Sequence, residues 1–267
     1  MKLNITGSIA EALRFSLHHV VPFYFLGLVA GLPAYLHSFL PRETRTLDLP
    51  GRAHEALLPR PWWETDLAVP AVEAVLFGIM VAIMVHMRQR DRRGESGTML
   101  AGFADAAPCL LTVAAVSLTI KLAEALITVG GRFLGDYIGT VGFIIFLPLL
   151  ALLLFLYLVF CVAIPSAAVD DTGVFNAFRR SAALTAGSRG RLLGLFVVLL
   201  LPLIAVITAV VMLFRDAIFS GGFPDLGLWL VGAAALVYSG VLIVVIHEAL
   251  VALKEGAGAG TLATVFD

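Results

Sequence analysis

Six long runs of mostly apolar residues constrain this chain more than any other feature of its sequence. The run from Ile144 to Ile164 is apolar almost without interruption. A helix of about 20 residues, rising about 1.5 Å per residue, crosses the ~30 Å hydrocarbon core of a bilayer. Each run therefore predicts a membrane span. The predicted spans are 17–36, 67–87, 109–129, 140–164, 192–214 and 227–251.

The composition agrees with a membrane protein. Of the 267 residues, 60% are hydrophobic and 14% are charged, whereas a soluble domain is about half apolar and a quarter charged. Continuous apolar runs favour helices, because the strands of a membrane barrel alternate in polarity. We therefore predict an all-α, polytopic membrane helix bundle with about six transmembrane helices. The net charge of −1 provides no field that would attract nucleic acid, so the expected partners are membrane lipids and other membrane-protein subunits.

The loop charges predict the orientation of the bundle. The N-terminus, the segments after the second and fourth spans, and the C-terminus together hold eleven Lys and Arg residues, against six on the other side. Because positive loops stay inside, both termini are predicted to be cytoplasmic. The Arg88–Arg93 segment is interpreted as a cytoplasmic loop. The first span shows no signal-peptide pattern, so we expect it to remain in the mature protein.

Three cytoplasmic stretches have the pattern of short amphipathic helices. They cover Ser8–Leu17, Met99–Ala107 and Thr172–Leu184, and Ser8 and Glu11 have the spacing of a capping box. Each stretch precedes a span outward and a span back. The sequence therefore predicts a single transmembrane domain, with a possible repeat of three hairpins over 1–90, 91–170 and 171–260.

Charges within the spans are the first candidate site. Lys121 and Glu124 lie three residues apart in the third span, and Glu73 lies at a similar depth in the second. Charges at this depth cost about 2.5–3.5 kcal/mol each, so we expect Lys121 to pair with Glu124, with Glu73, or with both. The pairing has two readings: a salt bridge that fixes helix packing, or a polar site on an ion or substrate path.

Two further candidate sites lie at the membrane surfaces. Arg179 and Arg180, in the third amphipathic stretch, are predicted to contact lipid headgroups or a partner. Trp62 and Trp63 precede the second span, in the long outer loop from His37 to Asp66. Such tryptophans are typical of interfacial anchors, with a partner-binding patch as the alternative.

The remaining polar features predict no chemistry. The sequence has no Walker loop, no G-x-S-x-G and no H-E-x-x-H motif. Cys109 and Cys161 lie inside apolar runs and are interpreted as small buried hydrophobes, and no cofactor or metal is indicated. His247 and Glu248, close to the end of the sixth span, are expected to form a solvated helix end.

One segment carries a family resemblance. Residues 160–187 contain Pro165, an acidic-glycine turn and an Ala-x-x-Arg-Ser-x-x-Leu-Thr-x-Gly pattern that ends at Gly187. The segment resembles part of the membrane domain of bacterial glycerophosphodiester phosphodiesterases and of related stand-alone six-span proteins. The resemblance implies a membrane-embedded helical domain with cytoplasmic ends. It carries over no activity, because in those enzymes a separate soluble domain holds the chemistry.

Two classes of function are compatible with these features. The first is a non-enzymatic membrane component: a scaffold, an assembly factor or an accessory subunit of an inner-membrane complex. The alternative is a transporter or channel for a lipid or small amphiphile, which the kinked spans and the Lys121 region favour. An intramembrane enzyme is disfavoured, because only Glu73, Lys121 and Glu124 offer candidate groups.

Overall fold

The computed structural model describes residues 5–38, 44–49, 52–57, 67–138, 140–170, 173–213 and 224–255. The predicted all-α bundle is confirmed, with one small β-hairpin in addition. The helices are α1 (Ile5–His18), α2 (Val20–Ala30), α3 (Leu32–Ser38), α4 (Val69–Arg92), α5 (Met99–Ala106), α6 (Leu110–Ile138), α7 (Thr140–Phe160), α8 (Ala163–Asp170), α9 (Val174–Thr185), α10 (Arg189–Leu213) and α11 (Pro224–Glu255). The strands are β1 (Thr44–Leu49) and β2 (Arg52–Leu57).

Several of these helices can cross a membrane by length and composition. Within the described residues, four qualify: Val69–Arg92, Met99–Gly131, Phe146–Asp170 and Trp229–Lys254. A fifth is obtained if the bent pair Ile9–His18 and Val20–Ala30 is one span. The chain is therefore a membrane-spanning helical protein. The 25-residue helix α10 covers most of the predicted fifth span.

The predicted first span, 17–36, is not one helix. The structure divides it at His19 and Gly31, and the helices on either side of His19 meet at 95°. Pro22 explains the first break, because proline has no N–H to donate to the His18 carbonyl and its ring collides with that carbonyl. The chain therefore turns sharply where the hydropathy pattern predicts a continuous helix.

Two segments read as loops are regular structure. The predicted cytoplasmic loop beginning at Arg88 is wrong in part, since α4 continues through Arg92 and places Arg88, Arg90 and Arg92 on its last turns. The predicted outer loop contains β1 and β2, which pair antiparallel from Thr44 opposite Leu57 to Leu49 opposite Arg52. Both segments had been interpreted as loops because their sequences are polar.

The three amphipathic helices are present as α1, α5 and α9, although their ends differ from the predicted ones. Ser8 lies inside α1, which begins at Ile5, so it is not the N-cap. The hydroxyl of Thr98 caps α5 by accepting a hydrogen bond from the Ala101 amide at 3.3 Å. Helix α9 begins after Gly173 (φ 83°), and the chain turns at Gly187 (φ 82°) just after it ends. A positive φ favours glycine at both positions.

Helix α4 is central to the bundle and packs against α2, α3, α5, α6, α8 and α11. Small residues allow close approach between helices, as is common in membrane proteins. Gly78 of α4 faces Ser117 and Val113 of α6, and Gly27 of α2 lies against Ala233 and Val237 of α11. These contacts set the distance between α4 and α6 and between α2 and α11.

Candidate functional site

Four charged side chains from three helices meet at one end of the bundle. We call Glu11 of α1, Arg88 and Arg92 of α4, and Glu248 of α11 the Arg88 cluster. Arg88 forms ion pairs with Glu11 and, from Nε to Oε2 at 3.3 Å, with Glu248. Arg92 Nη2 lies 2.7 Å from Glu248 Oε2 and 3.8 Å from Glu11 Oε1. One guanidinium thus joins two carboxylates from helices far apart in sequence.

The surroundings of Arg88 hold it in place. Its side chain is 14% exposed, and its guanidinium carbon lies 4.8 Å from the ring centre of Phe15 in a cation–π contact. Beside it, His19 Nε2 lies 2.7 Å from Asp91 Oδ2, which ties the α1–α2 bend to α4. The arrangement has no nucleophile placed beside a base, and it acts as a clasp on three helices.

The structure corrects two interpretations here. His247 and Glu248 are not a solvated helix end: His247 is 4% exposed, and the Glu248 side chain is 18% exposed and paired with arginines. Glu11 does not serve a capping box, since its carboxylate pairs with Arg88. The sequence signal for this site was weak. Three apolar helices each carry a charge near the same end, and only their packing shows that these charges meet.

The predicted intramembrane charges also come together. We call Glu73, Lys121, Glu124 and Tyr157 the Lys121 cluster. Lys121 Nζ donates hydrogen bonds to both Glu124 oxygens at 2.9 Å, and the Tyr157 hydroxyl donates to Glu124 Oε2 at 2.6 Å. Glu73 lies within electrostatic range of Lys121 but, in the part of the chain that the structure describes, forms no ion pair with it, so Lys121 pairs with Glu124 and not with Glu73. Tyr157 on α7 is the member that the sequence did not reveal.

The position of this cluster is unusual for charged groups. Glu73 lies roughly 22 Å along α4 from Arg88, given about 1.5 Å per residue, so both clusters cannot lie in the same headgroup layer. The side chains of Lys121 and Glu124 are nevertheless 26% and 28% exposed on the side of the bundle. Leu122 and Leu126 beside them are 41% and 75% exposed. The cluster is therefore partly open in a lateral direction.

The third candidate site lies where α8 ends and α9 begins. Arg180 of α9 forms an ion pair with Asp170, the last residue of α8. Arg179 is exposed and lines a cleft of about 300 Å³ with Asp170, Asn176, Arg180 and Ala183. The two predicted arginines thus differ, because Arg180 holds two helices together while Arg179 faces the cleft.

Helix α9 is fixed beneath this cleft by two hydroxyls. The fully buried Ser181 donates to the Val159 carbonyl at 2.8 Å. The hydroxyl of the equally buried Thr185 lies 3.3 Å from the same carbonyl and 2.9 Å from the Ser181 carbonyl, so its single proton is shared between acceptors. Val159 lies in the last turn of α7, where carbonyls lack a partner within the helix. The Ser and Thr of the Arg-Ser-x-x-Leu-Thr pattern therefore attach α9 to the end of α7.

Replacing Ser181 with alanine should loosen α9. The variant loses the 2.8 Å bond, at a cost of about 1 kcal/mol, while Thr185 still satisfies the carbonyl. Hydrogen exchange of the α9 amides should become faster in detergent. Thr119→Ala is the matched control, because that hydroxyl bonds only within its own helix, to the Ala115 carbonyl. Equal α9 exchange rates in the two variants would contradict the attachment.

Trp62 and Trp63 lie outside the residues that the structure describes, so their roles stay predictions. In the described part of the chain, no group of three or more His, Cys, Asp or Glu side chains could hold a metal ion. Cys109 is buried, and its thiol donates to the Ala106 carbonyl at 3.1 Å, while Cys161 is partly buried.

Comparison with known proteins assigns no family. No family model matches the chain, and no curated protein or solved structure matches it significantly. The resemblance of residues 160–187 to the phosphodiesterase membrane domains therefore stays a prediction.

Proposed function

We propose that this membrane-spanning chain is a non-enzymatic scaffold, assembly factor or accessory subunit of a larger membrane complex. One observation carries the proposal: the Lys121–Glu124 pair is about a quarter exposed on the lateral face of the bundle. The pair lies within a helix that is long and apolar enough to span a bilayer. Among the described residues, Tyr157 is the one polar side chain that hydrogen-bonds to this pair, and the exposed part of the pair can accept a further polar neighbour.

The energetics favour a protein neighbour over lipid. Ionisable groups at the bilayer centre cost about 2.5–3.5 kcal/mol each even on the most permissive scale, and they normally face a bundle interior or a water-filled cavity. The exposed part of the Lys121–Glu124 pair needs a neighbour that can hydrogen-bond to it. Its partner is therefore a transmembrane helix that presents a polar or charged side chain to this pair.

The proposed setting is a bacterial inner membrane with six spans and cytoplasmic termini. In this proposal, helix α10 and the bent α1–α2 pair are the two spans that add to the four long apolar helices. The excess of Lys and Arg beside the Arg88 end supports a cytoplasmic location for that end.

The decisive variant removes both charges together. Lys121→Leu with Glu124→Leu leaves no unpaired ion, and replacing a whole pair by apolar residues is often neutral for stability. We expect this double variant to migrate as a monodisperse peak in detergent but to lose the partner that co-purifies with the wild type from native membranes. The matched control, Thr119→Ala, alters the same helix without touching the pair and should retain that partner.

Photo-crosslinking locates the contact. A photoreactive residue at Leu126, which is 75% exposed, should give one discrete protein adduct in native membranes, and the double charge variant should abolish it. A photoreactive residue at Phe25 on α2, 53% exposed, is the control for random collision. Equal adducts at the two positions would overturn the proposal. So would a proton flux in liposomes that disappears with Lys121→Ala, since that result would favour the transport alternative.

A further inference from the structure

The cleft between α8 and α9 has features of an anion site that the proposed function does not require. It is a shallow, open depression with a volume of about 300 Å³. Among the described residues, its polar lining comprises two guanidinium groups, one amide and one carboxylate. The carboxylate of Asp170 pairs with Arg180, so within this lining the Arg179 guanidinium is a second, additional cation.

Arg179 is placed to receive a ligand. It is exposed, and among the described residues the structure gives it no ion-pair partner. Asn176 lies one turn before Arg180 and in the first turn of the 12-residue helix α9. The amide groups and the dipole at a helix N-terminus also favour an anion there. The Arg179 guanidinium, the Asn176 amide and the N-terminus of α9 therefore lie around the same cleft.

The neighbouring residues locate this cleft at a membrane surface. Asp170 ends the apolar span Phe146–Asp170, so the cleft opens where hydrocarbon gives way to headgroups. Phe175 is 89% exposed and lies one turn before Arg179 on the same face of α9. A large exposed aromatic beside an arginine is typical of a helix that lies in the membrane interface, with the ring among acyl chains and the cation among phosphates.

We propose that this cleft binds a phosphate group, held by the Arg179 guanidinium and the Asn176 amide. The group has two sources: the headgroup of an anionic phospholipid, in which case Phe175 lies beside its acyl chains, or free inorganic phosphate. Arginine matches phosphate because its planar fork donates two parallel hydrogen bonds. Arg180 serves as a positioning residue, because its pairing with Asp170 fixes the cleft wall.

Titration of the intact protein in neutral detergent tests the proposal. The three probes are dioctanoyl phosphatidylglycerol, dioctanoyl phosphatidylcholine and inorganic phosphate, and the readouts are the dissociation constant and the rise in melting temperature on binding. We expect Arg179→Gln to weaken binding at least about tenfold, which is the effect of losing one charge-assisted hydrogen bond. Arg93→Gln is the matched control, since it removes an exposed arginine outside the cleft.

The outcomes separate the two sources. Saturable, Arg179-dependent binding of phosphatidylglycerol that phosphatidylcholine does not reproduce, and that Phe175→Ser weakens further, supports a lipid headgroup. Arg179-dependent binding of inorganic phosphate that competes with the lipid and ignores Phe175→Ser supports free phosphate. Binding that Arg179→Gln and Arg93→Gln reduce equally, or no saturable binding of any probe, overturns the site. Neither result depends on the partner contact at Lys121, which the Leu double variant tests separately.

Discussion

Replacing Arg88 with methionine should lower the free energy of unfolding by about 3 kcal/mol, because the two partly buried carboxylates of Glu11 and Glu248 lose their buried cation and keep only Arg92, whose side chain is 49% exposed. Glu11 and Glu248 are 19% and 18% exposed, so water screens them only in part. The cation–π contact with Phe15 is lost as well. For a chain of this size the change corresponds to a fall of roughly 5–10 °C in melting temperature, measured by size exclusion after heating in detergent.

The rescue of this variant separates charge from packing. Adding Glu11→Gln and Glu248→Gln to Arg88→Met removes the two carboxylates that have lost Arg88 and should restore most of the lost stability. Arg93→Met is the control, because Arg93 is exposed just after the same helix. If Arg88→Met melts at the same temperature as Arg93→Met, the clasp contributes nothing measurable. If the triple variant is no more stable than Arg88→Met, the loss is one of packing.

Replacing Gly27 with leucine should prevent α2 from docking on α11. A Cβ at this position would lie 2.6 Å from the Ala233 carbonyl oxygen and 2.5 Å from Val237 Cγ2. The valine methyl can rotate away, but the backbone oxygen cannot move without its helix. The extra side chain therefore forces the two helices apart, at a cost of about 3 kcal/mol or more. The expected result is a broad, aggregated elution profile in detergent.

Gly232→Leu is the matched control for this substitution. Gly232 lies on α11, one residue from Ala233, and a Cβ there would meet nothing within 4 Å. It introduces the same side chain with the same helix propensity on an open face, so its elution profile should match the wild type. A folded, monodisperse Gly27→Leu protein would show that α2 and α11 do not pack as closely as the structure indicates.

Sequence periodicity and hydropathy predicted the parts of this fold that depend on local composition. An apolar run of about 20 residues must satisfy its own backbone in lipid, so it forms a helix whatever it packs against. The amphipathic helices α1, α5 and α9 were predictable for a similar reason, because each pattern places apolar residues on one face. The pairing of Lys121 with Glu124 followed from their spacing of three residues on one helix.

Features that depend on contacts between distant segments were not predictable. Glu11, Arg88 and Glu248 belong to helices far apart in sequence. The local sequence around a charged residue does not show whether its side chain is paired with another helix or exposed to water. The same holds for Tyr157, which reaches Glu124 across 33 positions in the chain.

The sequence by itself determined that this is a helical membrane protein, because the backbone of an apolar segment in lipid must form its hydrogen bonds within that segment. Only the tertiary structure decided which charges are paired and which stay open. Arg180 pairs with Asp170 while its neighbour Arg179 faces a cleft, and the Lys121 pair lies on the side of the bundle. Pairing depends on the distance between helices, and that distance is set by close contacts such as Gly27 against Ala233.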